Sequence, residues 1–247
     1  MKLKNSTILA GVIILALLLM STSSALAFVF TDNFNSLNTS WWTVGSIADS
    51  TVQVNNNQLE MTQGTQGVGS GYANLTFNYS IIGDFTAQVD YSLLNWGTDN
   101  QERLGLVGRA GSDYGVPERI SDSSFGGEVY LSDFSGAGVN PNPGIPTTDR
   151  IGSLQLTRSG LTVSASYWNG TGWSLIHSVN TSTTPDVGLT LQMWPGSFVT
   201  PGTKIAFDNF YLNAPNTPTP SAVPEPATMS LLGLGLLGLF GFGKKRK

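Results

Sequence analysis

The stretch "GDFTAQVDYSL", residues 83–93, constrains the chain more than any other. Phe85, Ala87, Val89, Tyr91 and Leu93 alternate with Thr86, Gln88, Asp90 and Ser92. Successive side chains of a strand point to opposite faces, so this period of two describes a half-buried β-strand and excludes an amphipathic helix. "DVGLTLQMW" repeats the pattern with Val187, Leu189, Leu191 and Met193 on one face. In "SGLTVSASYWNGTGWSLIHSV", Leu161, Val163, Ala165 and Tyr167 alternate up to Asn169-Gly170, and a second strand follows from Trp173. Asn-Gly supplies the positive φ angles of a tight hairpin turn.

Further strands are expected over 28–34, 52–61, 72–77, 103–109, 127–133, 151–158 and 204–212, with long loops over 112–124 and in "SGAGVNPNPGIPTTD". Many short strands with no helices between them predict an all-β chain, an antiparallel sandwich or barrel. A parallel sheet needs crossover helices, and the sequence has no pattern for them.

Both ends read as addressing segments. Lys2 and Lys4 precede an apolar stretch, Ile8 to Met20, which leads to Ala25-Leu26-Ala27. This is the three-part pattern of a secretory signal peptide over residues 1–27, with the cleavage site marked by Ala25 and Ala27. Its apolar core of 13 residues is short beside the roughly 20 that a membrane helix needs. The folding unit is then residues 28–214, followed by a proline-rich spacer over 215–223.

Six of the 12 basic residues lie in the terminal segments, against one of the 16 acidic ones, so residues 28–214 carry a formal charge of −9. An acidic domain does not attract phosphate backbones, which argues against nucleic acid as a partner. There is no cysteine and one histidine, His177. The exported domain is therefore held by packing rather than disulfides, and thiolate zinc sites are excluded.

The opening "FTDNFNSLNTSWW", the strand "GDFTAQVDYSL", the hairpin "LTVSASYWNGTGWSLI" and the closing "KIAFDNFYLN" together resemble a concanavalin A-like (laminin G-like) jelly-roll β-sandwich. The resemblance implies glycan binding, glycan hydrolysis or protein interaction, and places the first strand beside the last. Glycoside hydrolysis needs two carboxylates about 5 to 10 Å apart. The strand motif Glu-x-Asp-x-x-Glu of related glucanases is not found. In "GGEVYLSDF" Glu128 and Asp133 are separated by an odd number, which puts them on opposite faces. The domain is therefore read as non-catalytic, with no catalytic residue assigned. The expected function is association with extracellular polysaccharide; the alternatives are a hydrolase or lyase of the same fold and a protein-interaction module.

Trp96, Tyr114, Trp168 and Trp194 stand near strand ends and are the candidate ligand-binding aromatics, because flat apolar faces suit sugar rings. Asp32 in "TDNF" and Asp208 in "FDNF" are candidate ligands for a structural Ca2+, which takes carboxylate and carbonyl oxygens.

The chain ends "VPEPATMSLLGLGLLGLFGFGKKRK". Ala227 to Gly243 is free of charge, and as a helix its 17 residues span about 25 Å, near the minimum for a bilayer. Lys244, Lys245, Arg246 and Lys247 place that end in the cytoplasm. Pro224, Glu225 and Pro226, the transmembrane span and the basic end, in that order, resemble the PEP-CTERM sorting signal of Gram-negative, exopolysaccharide-producing bacteria, here over 224–247. The resemblance implies an exosortase as processing partner. With signal peptidase and the general secretion machinery, it implies export through a transient inner-membrane stage to the cell surface or biofilm matrix.

Overall fold

The computed structural model describes residues 28–47, 49–64, 72–97, 102–110, 113–135, 144–181, 186–195, 202–215 and 219–220. The signal peptide, the transmembrane span and the sorting triplet expected from the sequence lie outside these residues. Among the described residues no helix is long and apolar enough to cross a membrane.

The described chain is a succession of strands. The first half holds β1 (Phe28–Asp32), β2 (Trp42–Ser46), β3 (Thr51–Asn55), β4 (Gln58–Thr62), β5 (Ala73–Ile81), β6 (Phe85–Asn95), β7 (Glu102–Ala110) and β8 (Asp113–Asp122). A 3-10 turn, Ser123–Phe125, leads into the second half. There follow β9 (Gly127–Ser135), β10 (Ile145–Pro146), β11 (Ile151–Ser159), β12 (Thr162–Trp168), β13 (Trp173–Asn180), β14 (Val187–Pro195), β15 (Lys204–Ala214) and β16 (Thr219–Pro220).

They form two antiparallel sheets. In sheet A the order is β13-β12-β11-β6-β15-β4-β3, with β1 also paired to β15. In sheet B it is β10-β9-β8-β7-β14-β5-β16, with β2 also paired to β5. The result is the antiparallel sandwich that the strand pattern predicts, with the jelly-roll fold that the resemblance implies and the first strand beside β15, the strand expected to close the domain.

The core lies between the sheets and follows the alternation. On β6 Phe85, Ala87, Val89, Tyr91 and Leu93 are all buried, and β14 buries Val187, Leu189, Leu191 and Met193 opposite them. Each large apolar side chain removed from water contributes roughly 1.5–3 kcal/mol. Leu156 of β11 packs so close to β7 that a Cβ on Gly108 would lie 2.5 Å from its Cδ2. The sheets therefore touch there only because position 108 has no side chain.

One end of the core is aromatic. Trp42 packs on Phe77 at 5.2 Å between ring centroids and on Phe210 at 5.0 Å, so rings from both sheets share one cluster. Its indole Nε1 donates to Asp32 Oδ2 at 2.8 Å, and Asp32 Oδ1 accepts from the Phe34 amide at 2.8 Å.

Four sequence expectations are corrected. The single strand expected over 52–61 is the hairpin β3–β4, because Asn56 and Asn57 adopt φ of 52° and 57° and reverse the chain. The loop expected over 112–124 contains β8, paired on both sides. The strand β2 begins at the tryptophan pair, where none was expected. The spacer is not wholly detached, since Thr219 and Pro220 pair with Ser80 and Tyr79 of β5.

Replacing Asp32 by alanine leaves the buried Trp42 indole N–H without an acceptor. Asp32→Ala is expected to lower unfolding free energy by about 3 kcal/mol, read by urea titration of tryptophan fluorescence. A change under 1 kcal/mol would show that this bond does not anchor the aromatic end.

Candidate functional site

The sheets each have one face in the main core and one turned outward; on sheet B the outward face of β8 and β9 carries a smaller buried cluster of Ile120, Val129 and Leu131. On sheet B the cross-strand register sets Leu131, Glu118, Gly105, Gln192, Asn74 and Gly45 in one row. Neighbouring strands lie about 4.8 Å apart, so Glu118, Gln192 and Asn74 spread over roughly 14 Å. A neighbouring row brings Arg103 beside Trp194.

Trp194 is half-buried, and its ring lies across the backbone of Gly105. A Cβ there would stand 3.1 Å from Trp194 Cη2 and 2.8 Å from Val116 Cγ1. Glycine at 105 is what lets the indole lie down between Glu118 and Gln192.

Glu118 is fully buried on this outward face, among Val116, Ile120 and Leu131. Neither carboxyl oxygen has a hydrogen-bond partner. Arg103 approaches Oε2 at 3.8 Å, a Coulombic contact too long to be a hydrogen bond. Burial pushes the Glu118 carboxyl up to about 7; Arg103 opposes the rise, and the nearby Asp133 carboxylate adds to it.

Because the folded state holds this proton more tightly than the unfolded chain, with its ordinary value of 4.5, stability falls as pH rises from about 4.5 to about 7 and stays low above. Glu118→Gln keeps the shape and removes the charge. It is expected to be more stable than the parent at pH 8 by up to about 3 kcal/mol, with the difference vanishing near pH 4. Melting curves of both proteins across that range check this; a pH-independent difference would refute it.

The loop expected over 112–124 gives Glu118 no face, whereas β8 does. The available signal was the alternation Val116, Glu118, Ile120, Asp122 in "VPERISD". Glu118 and Asp122 share a face, but four residues of strand hold their Cα atoms about 13 Å apart, and Asp122 Oδ1 caps the 3-10 turn through the Ser124 amide at 2.8 Å. The nearer acid is Asp133, the diagonal neighbour of Glu118 on β9. Such diagonals span roughly 7–8 Å, inside the range that glycoside hydrolysis uses. Glu128 faces the other way, paired with the buried Arg119 and with Arg150 at 3.9 Å.

The candidate aromatics do not converge. Trp96 is a correction: it is buried in the core cluster, so its ring offers no platform. Tyr114 belongs to β8, and its side chain lies outside the described residues. Trp168 is on the outward face of sheet A and Trp194 on that of sheet B, on opposite sides of the sandwich.

Asp32 and Asp208 also diverge. Asp32 shares a face with Phe210 and serves Trp42, whereas Asp208 pairs with Asp90 on the outward face of sheet A. Burial, and then the carboxylates of Asp90 and Asp32, raise the Asp208 pKa above its ordinary value, against the lowering effect of the Asn209 amide. Among the described residues no three acidic or histidine side chains form a group able to hold a metal. A Ca2+ ion on this pair would need backbone oxygens to complete its shell.

Solved structures share this fold at low identity. The CBM2 module of an evolved Dit protein from Lactobacillus casei BL23 phage J-1 is 13% identical, with a TM-score of 0.57 over 76% of this chain and 96% of its own. An immunostimulatory antigen and pseudo β-1,3-glucanase of Mycobacterium tuberculosis is 10% identical, with a TM-score of 0.57 over 75% and 98%. A glycosyl hydrolase family protein from Mycobacterium fortuitum is 16% identical, with a TM-score of 0.52 over 74% and 97%. No curated protein sequence matches the chain. Residues 222–247 match the PEP-CTERM protein-sorting motif, the signal that an exosortase recognises, which marks this as an exported protein anchored through its C-terminal region before processing.

Proposed function

We propose that this is a non-catalytic surface or matrix protein whose sandwich binds neutral polysaccharide on the outward face of sheet B. The observation that carries the reading is the half-buried Trp194 ring over Gly105, on the same outward face as the partly exposed amides of Gln192 and Asn74. The ring supplies apolar contact for a sugar face, and the partly exposed amides of Gln192 and Asn74 supply acceptors and donors for its hydroxyls. A carbohydrate-binding module and a pseudo β-1,3-glucanase of the same fold support the choice of ligand class.

Soluble β-1,3-glucan is the first probe, in calorimetric titration with the purified protein. Trp194→Ala is expected to weaken binding about tenfold, or 1.4 kcal/mol, without changing the melting temperature by more than a few degrees. Equal affinity in both proteins, or no binding to this glucan or to the producing cell's own exopolysaccharide, refutes the reading.

Hydrolysis is the second reading, favoured by one observation: Asp133 stands diagonal to Glu118 on one face, and burial raises the Glu118 carboxyl to about 7. Release of reducing ends during the same titration separates the two. The binding reading expects none.

Delivery to the surface follows from removal of residues 1–27 after Ala27 and processing near Pro224, Glu225 and Pro226 by an exosortase-type enzyme. Glu225→Ala is expected to leave the protein in the membrane fraction with Lys247 intact, as read by mass spectrometry of the C-terminal peptide. The parent protein at the surface should lack that peptide, and its presence there would overturn processing.

A further inference from the structure

We infer that the sandwich carries a second polysaccharide site, on the outward face of sheet A, and that the protein therefore cross-links two polysaccharide chains. The inference rests on the proposed site on sheet B, and adds a site that its residues do not touch.

The second site is a shallow depression of about 370 Å³ where β6, β11, β12 and β15 meet. Trp168 forms one wall, 39% exposed, its ring held in place by the Trp173 edge at 5.6 Å and 75°. Ile151, 72% exposed, stands on the same face. Exposed apolar surface of this kind, next to a polar floor, is what a sugar ring covers.

The floor is shaped by an irregularity in β15. Asp208 pairs with Asp90 and Tyr211 with Gln88, so the register slips between them and Asn209 is the extra residue, at φ of 49°. A bulge of this type re-aims side chains. Here it sends the Asn209 amide to Asp90 Oδ2 at 2.9 Å, while Ser153 Oγ donates to Asp90 Oδ1 at 2.5 Å. Asp90 is thereby committed to bracing the floor. Asp208, Gln58 and Ser92 complete the lining and offer acceptors and donors to hydroxyl groups. Among the described residues no lysine or arginine lines the depression, so an anionic glycan would meet the carboxylates of Asp208 and Asp90. The ligand class is a neutral polysaccharide.

The two sites look away from each other across a sandwich whose sheets pack about 10 Å apart. One extended chain cannot lie on both faces, so occupancy of both joins two chains. Bivalent attachment then gains avidity without any new contact.

The test uses the purified protein, soluble fluorescent β-1,3-glucan or the producing cell's exopolysaccharide, and beads coated with the same polymer. Two sites per protein are expected by titration with a short oligomer. Protein-dependent capture of the soluble polymer on the beads is expected too. Trp168→Ala should halve the stoichiometry and abolish capture, and Trp194→Phe should affect only the other site; Trp168→Phe should restore most capture. A single site that maps to Trp194 overturns cross-linking and leaves the sheet B reading standing. A single site that maps to Trp168, or no binding, overturns both.

Discussion

The contact between Trp42 and Phe210 is the interaction on which most of the rest depends. With no cysteine in the chain, no disulfide ties sheet B to sheet A, and these two rings meet at 5.0 Å between centroids from strands of opposite sheets. Asp32 fixes the indole from the first strand, so the chain's opening segment, its penultimate described strand and both sheets share one cluster. For Phe210 to point inward while Asp208 keeps its outward place beside Asp90, β15 must absorb one more residue than β6 offers. Asn209 is that residue, and its left-handed backbone is the cost. The packing of the core thus determines the shape of a surface depression.

On sheet B a similar coupling runs through a glycine. A side chain at 105 would strike Val116 and Trp194, so the indole has its place only because the strand beneath it is bare. The same strand gives Glu118 no side chain at its own level on that side, while Leu131 stands opposite on β9 and apolar residues flank it along β8. A buried carboxyl with no hydrogen-bond donor is unfavourable once ionised. Nothing in the core requires an acid there, since Glu118 faces away from it.

How much of this was legible follows from how cleanly each strand alternates. β6, β14 and the β12–β13 hairpin have apolar residues on one face only, and their positions could be read directly. β8 was read as loop because Pro117 and Gly115 break strand propensity, and because charged side chains occur on both of its faces: Glu118 outward, Arg119 inward against Glu128. A buried arginine on a core face defeats any rule based on hydrophobic period. The Asn55-Asn56-Asn57 run was readable as a turn in retrospect, since asparagine tolerates positive φ. Trp96 and Trp194 had equal standing in the sequence, both near strand ends. Only the register, which turns one inward and lays the other across Gly105, separates them.

Destination and binding are linked by a physical necessity. The tail that matches the sorting motif supplies the chain's hold on the membrane, and processing at that motif would release it. A domain of charge −9 has no electrostatic attraction to an anionic cell surface, so after release only specific contacts would retain it there. A single weak glycan site dissociates readily, whereas two sites on opposite faces of one rigid sandwich place the second polymer at high effective concentration once the first is held. Retention in a polysaccharide matrix would therefore favour the proposed arrangement in which both outward faces bind, and the absence of cysteine would be no handicap, because the packed core itself would link the two polymers.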